Sequence, residues 1–148
     1  MNQDLTTSTL ANARLAWQQA IDNYTEAIVD EAEATIKKAR MDSLKAAMGT
    51  AQLSNFLGVT LETSSVAAIV NWVRYQMGRR ETSRAWKDTQ LGATVVDSIN
   101  KMRQWAIDIA RDVYGEPKPP QILEIHVALV RLYAGYLKRW YIAEGGQQ

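Results

Sequence analysis

"PQILEIHVALVRLYAGYLKRW", residues 120–140, is the stretch on which the fold turns. Ile122, Ile125, Leu129, Leu132, Tyr133, Tyr136 and Trp140 recur mostly three or four positions apart. That spacing gathers them on one stripe of a helix, and no period-two alternation competes with it. Pro120 suits the first turn, where an N–H would be unpartnered anyway. "GEPKPP", residues 115–120, is a stiff connector before it. Gly145 and Gly146 end the helix, with Gln147 and Gln148 expected to fray.

The same period extends upstream. Val95, Ile99, Met102, Ala106, Ile109 and Val113 define a helix that stops at Gly115. Ser64 or Ser65 begins another, with Val66, Ile69, Val70, Val73 and Met77 on one face and Gly78 as its C′ glycine. Residues 79–92 have no period and read as a loop or a short helical turn. Thr50 is placed to cap a short helix holding Leu53, Phe56 and Leu57, stopped near Gly58. Before that, Leu10, Ala13, Trp17, Ile21, Tyr24, Ile28, Ala32 and Ile36 share a face, with Thr6, Thr7 or Ser8 as cap and Gly49 as closure. The face shifts near residue 36 to Met41, Leu44 and Met48, so residues about 8–48 read as one long helix or two joined by a bend. The expectation is an all-α, single-domain bundle of about five helices, a long N-terminal segment (about 8–48) followed by a compact part (about 50–143).

Composition narrows the chemistry. The chain has 148 residues, no cysteine and a formal net charge of +1. Disulfides, thiolate zinc sites and thiol nucleophiles are excluded. No apolar run reaches membrane-spanning length, and Met1–Thr9 lacks the basic start and apolar stretch of a signal peptide. A cytoplasmic protein without membrane contact is expected. The charge is unevenly spread. Residues 1–36 hold six acids and one base, a balance of −5; the remainder holds sixteen bases and ten acids, a balance of +6.

His126 is the sole histidine, inside the last helix, with no histidine or cysteine to share a metal. It reads as a structural core residue. Neither a phosphate-cradling GxxxxGK[ST] loop nor a GxSxG elbow occurs. No catalytic residue, metal or cofactor is therefore expected. Asp22, Glu26, Asp30 and Glu33 form an acidic stripe, which reads as a solvated face with Glu33 pairing Lys37 one turn on. A basic partner surface is the competing reading.

Basic residues cluster in two sequence regions. Lys37, Lys38, Arg40 and Lys45 crowd a helix end, where cations complement the dipole or meet phosphate. "VRYQMGRRETSRAWK", residues 73–87, brings Arg74, Arg79, Arg80, Arg84 and Lys87 together with Tyr75 and Trp86 against a single acid, Glu81. Dipole complementation accounts for Arg79 and Arg80 but not for five cations. Guanidinium groups beside aromatics suit the backbone of a single strand or a heteroduplex. Arg131, Lys138 and Arg139 beside Trp140 and Tyr141 offer a second patch.

Three stretches carry a family likeness. "TAQLSNFLG" (50–58), "AAIVNWVRYQMGRR" (67–80) and "EIHVALVRLYAGYLKRW" (124–140) resemble the small, belly-forming subunits of multisubunit CRISPR–Cas effector complexes of the type III or type I-D kind. Thr50, Gln52 and Phe56 match the first motif; Tyr75, Gln76, Gly78 and Arg79 match the second; Tyr133, Ala134 and Tyr136 match the third loosely. The long acidic first helix departs from the compact type III form. The resemblance implies a non-enzymatic subunit that stacks with further copies of itself beside the backbone and large subunits. It also implies contact with the guide RNA–target heteroduplex or the displaced strand. Arg79 comes from the motif; Arg74, Arg80, Arg84, Lys87, Lys37, Lys38, Lys138 and Arg139 come from charge. The competing reading is a helical protein–protein adaptor, in which some of the five Trp and six Tyr anchor an interface. An enzyme with a cofactor buried in the bundle is a distant third.

Overall fold

The structure, a computed structural model, describes residues 2–146, and side chains from residue 11 onward. The expected fraying of Gln147 and Gln148 lies outside the described residues. Among the described residues there are eight helices and no strand: α1 (Asn2–Asp22), α2 (Thr25–Lys38), α3 (Met41–Ala46), α4 (Gly49–Glu62), α5 (Val66–Gly78), α6 (Ser83–Trp86), α7 (Leu91–Tyr114) and α8 (Pro119–Ala143). The all-helical expectation holds; the count of about five does not. The difference comes from two regions. Residues 8–48 divide into α1, α2 and α3, and the stretch after α5 contains the four-residue α6.

The breaks in the first region have no glycine or proline to announce them. The chain tightens at Asn23–Tyr24, where the Tyr24 N–H donates to the Ile21 carbonyl at 2.8 Å. Ala39 is extended, with ψ 147°. Thr6, Thr7 and Ser8 lie within α1 and do not cap it. Gly49 does not close α3 either. The left-handed residue is Met48, with φ 60°, and Gly49 opens α4 one residue before the expected Thr50. Gly49 is glycine for another reason: an added Cβ would sit 2.5 Å from Cζ of Tyr141. Met48 is mostly solvent-exposed and carries a Cβ in a region costly to L-residues. Met48→Gly is therefore expected to stabilise the chain by about 0.5–1 kcal/mol, read as a raised urea midpoint at unchanged m-value.

α8 is the central element. It packs against α2, α4 and α7, while α7 also receives α1, α2, α5 and α6. Ile28, Ala32 and Ile36 of α2 are fully buried, so this N-terminal piece is inside the core. On α8 the buried set is Ile125, His126, Val127, Leu129, Val130, Tyr133, Ala134, Leu137 and Tyr141, a stripe rotated from the expected one, since Leu132 is exposed. The N-terminal capping expectation holds for α5, where Ser65 Oγ accepts the Ala68 N–H at 3.1 Å. The C-terminal expectation holds for α7, which ends on Gly115 at φ 75°.

A polar chain threads the α2–α7–α8 junction. The Thr35 and Tyr133 hydroxyls are 2.7 Å apart. Glu31 accepts from Ser98 Oγ and from Lys101 Nζ, each at 2.9 Å. Burial pushes the Tyr133 phenol far above its usual range, with the Ser98 and Thr35 hydroxyls opposing. Every polar group in this chain is partnered, which is the condition for tolerating it in a core.

Candidate nucleic-acid interface

α5 ends at Gly78, and Arg79 turns extended with φ −77° and ψ 129°. Gly78 is thus not a left-handed C′ glycine; positive φ among glycines occurs at Gly115 and Gly145. The turn is closed by side chains and backbone instead. Thr82 Oγ1 donates to the Gln76 carbonyl at 2.8 Å, and the Ser83 N–H donates to the Arg79 carbonyl at 2.8 Å. These bonds start α6 at once and hold it against α5.

Trp86 is what fixes α6. Its indole is fully buried, and its N–H donates to Gln52 Oε1 at 3.2 Å. Its ring meets Trp72 edge-on with centroids 5.5 Å apart and Phe56 at 5.8 Å. The sequence sets Trp86 and Tyr75 among the cations, where an aromatic ring serves either as packing or as a stacking surface for a strand. The packing half is right. Stacking on a ligand is ruled out by full burial, whereas Tyr75 is 61% exposed and remains free to stack.

Around this anchored turn the cations divide. Arg74, Arg80, Arg84 and Lys87 are exposed, and none has an ion-pair partner among the described residues. Arg79 is committed in part: its Nε lies 3.2 Å from Glu81 Oε2, an exposed pair of small energetic weight. Arg74 lines a small cleft between α5 and α7 with Asp97, while Arg79 lines a groove on the α4 side. The five do not form one clamp.

The second sequence cluster comes to the first through the fold. The Arg40 N–H donates to the Thr89 carbonyl at 3.3 Å, and α3 packs on α6. Residues 38–40 therefore adjoin residues 87–89. Arg80, Arg84, Lys87, Lys38, Arg40 and Lys45 are all exposed on the elements that meet here, as are the acids Asp42 and Asp88. Lys37 is spent on Glu33, Nζ to Oε1 3.0 Å, the pair expected from the sequence. Its pKa is raised by that hydrogen bond and by the charge of Glu33, with a contribution from Glu144.

The α8 patch is partly consumed by structure. Arg131 Nε and Nη2 donate to the carbonyls of Thr60 and Thr63, at 2.8 and 3.1 Å, serving the C-terminal end of α4. The Trp140 indole N–H donates to the Val29 carbonyl at 3.1 Å. Arg139 is exposed and lies 5.4 Å from the Tyr136 ring centroid; Lys138 is half-buried.

His126 is buried with Nε2 2.8 Å from the Ile99 carbonyl, as a structural histidine should be. Burial lowers its pKa; the Ile99 carbonyl opposes this and the Arg103 charge adds to it. The unfolded chain takes up this proton near pH 6.5, as a free histidine does at about that value, while the folded chain resists to lower pH. Stability should fall as pH drops below about 6.5. In melting scans between pH 5 and 7, His126→Gln is expected to flatten this decline; an unaltered slope would assign it to other groups. No group of three or more His, Cys, Asp or Glu residues is placed to hold a metal, and no helix is long and apolar enough to cross a membrane, among the described residues.

No family model, curated protein or solved structure matches the chain. The family likeness therefore rests on its three short stretches. Of their motif residues, Phe56 is fully buried and Gln52 bonds Trp86, so both hold α6 in place; Tyr75 and Arg79 are exposed.

Proposed function

We propose that the chain is a non-catalytic small subunit of a CRISPR RNA-guided effector complex, acting in the cytoplasm. It contacts the backbone of the target or displaced strand through a basic surface. Its partners are the backbone and large subunits, further copies of itself, and the guide–target heteroduplex or the displaced strand. One observation carries the strand contact: two basic clusters some forty residues apart in sequence adjoin at the Arg40–Thr89 contact, and Lys38, Arg40, Lys45, Arg80, Arg84 and Lys87 are exposed with no ion-pair partner among the described residues, Lys37 and Arg79 being paired with Glu33 and Glu81. Like charges left unpaired on one surface repel unless a polyanion approaches. Arginine dominates the α5–α6 half, which suits phosphate recognition. The resemblance in residues 50–80 and 122–141 supplies the type of assembly. The exposed acids Asp22, Glu26 and Asp30 supply a face for the basic surface of a neighbouring copy, head to tail.

The test is a salt series on the purified chain with a short single strand. Arg80→Glu, Arg84→Glu and Lys87→Glu together should leave helical circular dichroism and melting temperature nearly unchanged. Affinity should fall for any sequence. The slope of log affinity against log salt should flatten by about 0.7 for each lost contact. Equal affinity and equal slope in the variant would overturn the basic-surface reading.

A further inference from the structure

A polar groove of ≈ 550 Å³ opens between α4 and the α5–α6 turn, beside the basic surface. Gln52, Asn55 and Glu62 line it from α4; Trp72, Gln76 and Arg79 line it from the other wall, with Glu81 and Thr82 closing one end. Gln76 is the informative residue. It is only 6% exposed, and no hydrogen bond to its carboxamide is formed among the described residues. The one fully buried side-chain polar atom without a partner among the described residues is Trp17 Nε1, so the Gln76 carboxamide meets solvent in the groove and presents a donor and an acceptor to a ligand there. Asn55 is exposed on the facing wall, and the half-buried Trp72 ring presents aromatic surface.

The charges say which part of a ligand belongs inside. Glu62 and Glu81 outweigh Arg79, so the groove disfavours a phosphate. It suits a neutral, flat group with hydrogen-bonding edges and exocyclic amines. Carboxylates accept from such amines, carboxamides bond base edges in pairs, and an indole stacks on any base face. Phosphates would remain outside, on Arg80 and Arg84. We infer that this groove receives one splayed-out nucleobase of a bound single strand, amine-bearing bases before thymine or uracil. The inference rests on the basic-surface reading and adds a base pocket to it.

The experiment compares a short oligodeoxycytidylate with an abasic strand of the same length and phosphate count, both titrated into the full-length chain at low salt. The cytosine strand should bind about tenfold more tightly, in the range one stacked and hydrogen-bonded base supplies. Gln76→Leu should erode that ratio without changing the abasic affinity. Asn55→Ala, at an exposed position, should do the same and does not depend on a core position tolerating change. Arg80→Glu should weaken both strands and preserve the ratio. If wild type binds both strands equally and Arg80→Glu weakens both, the base pocket is wrong and the basic surface stands. A ratio unmoved by Asn55→Ala and by a folded Gln76→Leu places base contact elsewhere and also overturns the pocket. If neither strand binds, the basic surface falls and the pocket falls with it.

Discussion

Trp86→Ala is expected to remove about 3–5 kcal/mol of stability, the range for deleting a large buried aromatic. The side chain is fully buried, so its whole apolar surface is at stake. Phe56 and Trp72 would each lose a ring partner, 5.8 and 5.5 Å away by centroid. Gln52 would lose the indole N–H that it accepts at 3.2 Å. α6 has four residues, too few to persist without packing, and Ala85 and Trp86 are its buried residues. Marginal stability of about 5–15 kcal/mol leaves little after such a loss. Urea unfolding should show a midpoint shift far larger than that of Gln52→Ala, which removes the hydrogen bond but keeps the ring cluster. Trp86→Phe should lie between them. If Trp86→Ala unfolds at the wild-type midpoint, α6 is held by something other than its tryptophan. Strand binding should decline with it, because Arg84 and Lys87 flank this residue on the same turn.

That coupling explains what could and could not be read from the sequence. Long helices with sustained periods were legible: α7 and α8 come out with Gly115 and Pro120 where expected, and Val95, Ile99, Met102, Ile125, Leu129 and Tyr133 are all buried. α6 was not, because four residues carry no period and its one strong signal, Trp86, reads equally as core or as ligand platform. The breaks at Asn23–Tyr24 and Ala39–Arg40 contain no residue that forces a break. The segment between them, α2, packs against α8, and such a contact is not encoded locally. Glycines misled in a consistent way. Gly49 and Gly78 stand where a left-handed C′ is usual, but Gly49 admits Tyr141 and Gly78 is helical.

For the candidate site, local and distant signals divide in the same manner. The Glu33–Lys37 pair is four residues apart on one helix and was predictable. The capture of Arg131 by carbonyls 71 and 68 residues away was not, and charge counting left it among the free cations. The meeting of residues 38–40 with residues 87–89 is likewise a product of topology. The acidic stripe is solvated at Asp22, Glu26 and Asp30, whereas Glu31, outside the stripe, is the acid drawn inward by Ser98 and Lys101. The unpaired Gln76 matches a family motif by type, but only its burial beside a groove makes it informative.

Gly92→Ala is expected to cost about 1–3 kcal/mol, although the residue sits in the first turn of a long helix, where alanine usually helps. Gly92 is buried, and an added Cβ would lie 2.5 Å from Met77 Cγ and 2.8 Å from the Trp86 carbonyl oxygen. Met77 has a flexible side chain and can move aside. The carbonyl cannot move without its peptide, so relief requires α6 and the start of α7 to separate. The displacement falls on the turn that carries Arg84 and Lys87, so binding to a single strand should weaken even though Gly92 touches none. Gly58→Ala and Gly78→Ala are the controls. A Cβ at either meets nothing within 4 Å, and both lie within helices, so each should stabilise the chain by about 0.5–1 kcal/mol. Gly78→Ala should also retain strand affinity, since Arg79 already leaves the helix in an extended conformation that a preceding alanine does not oppose. If Gly92→Ala melts and binds like wild type, the α6–α7 approach is compliant, and the position of Arg84 and Lys87 does not depend on it.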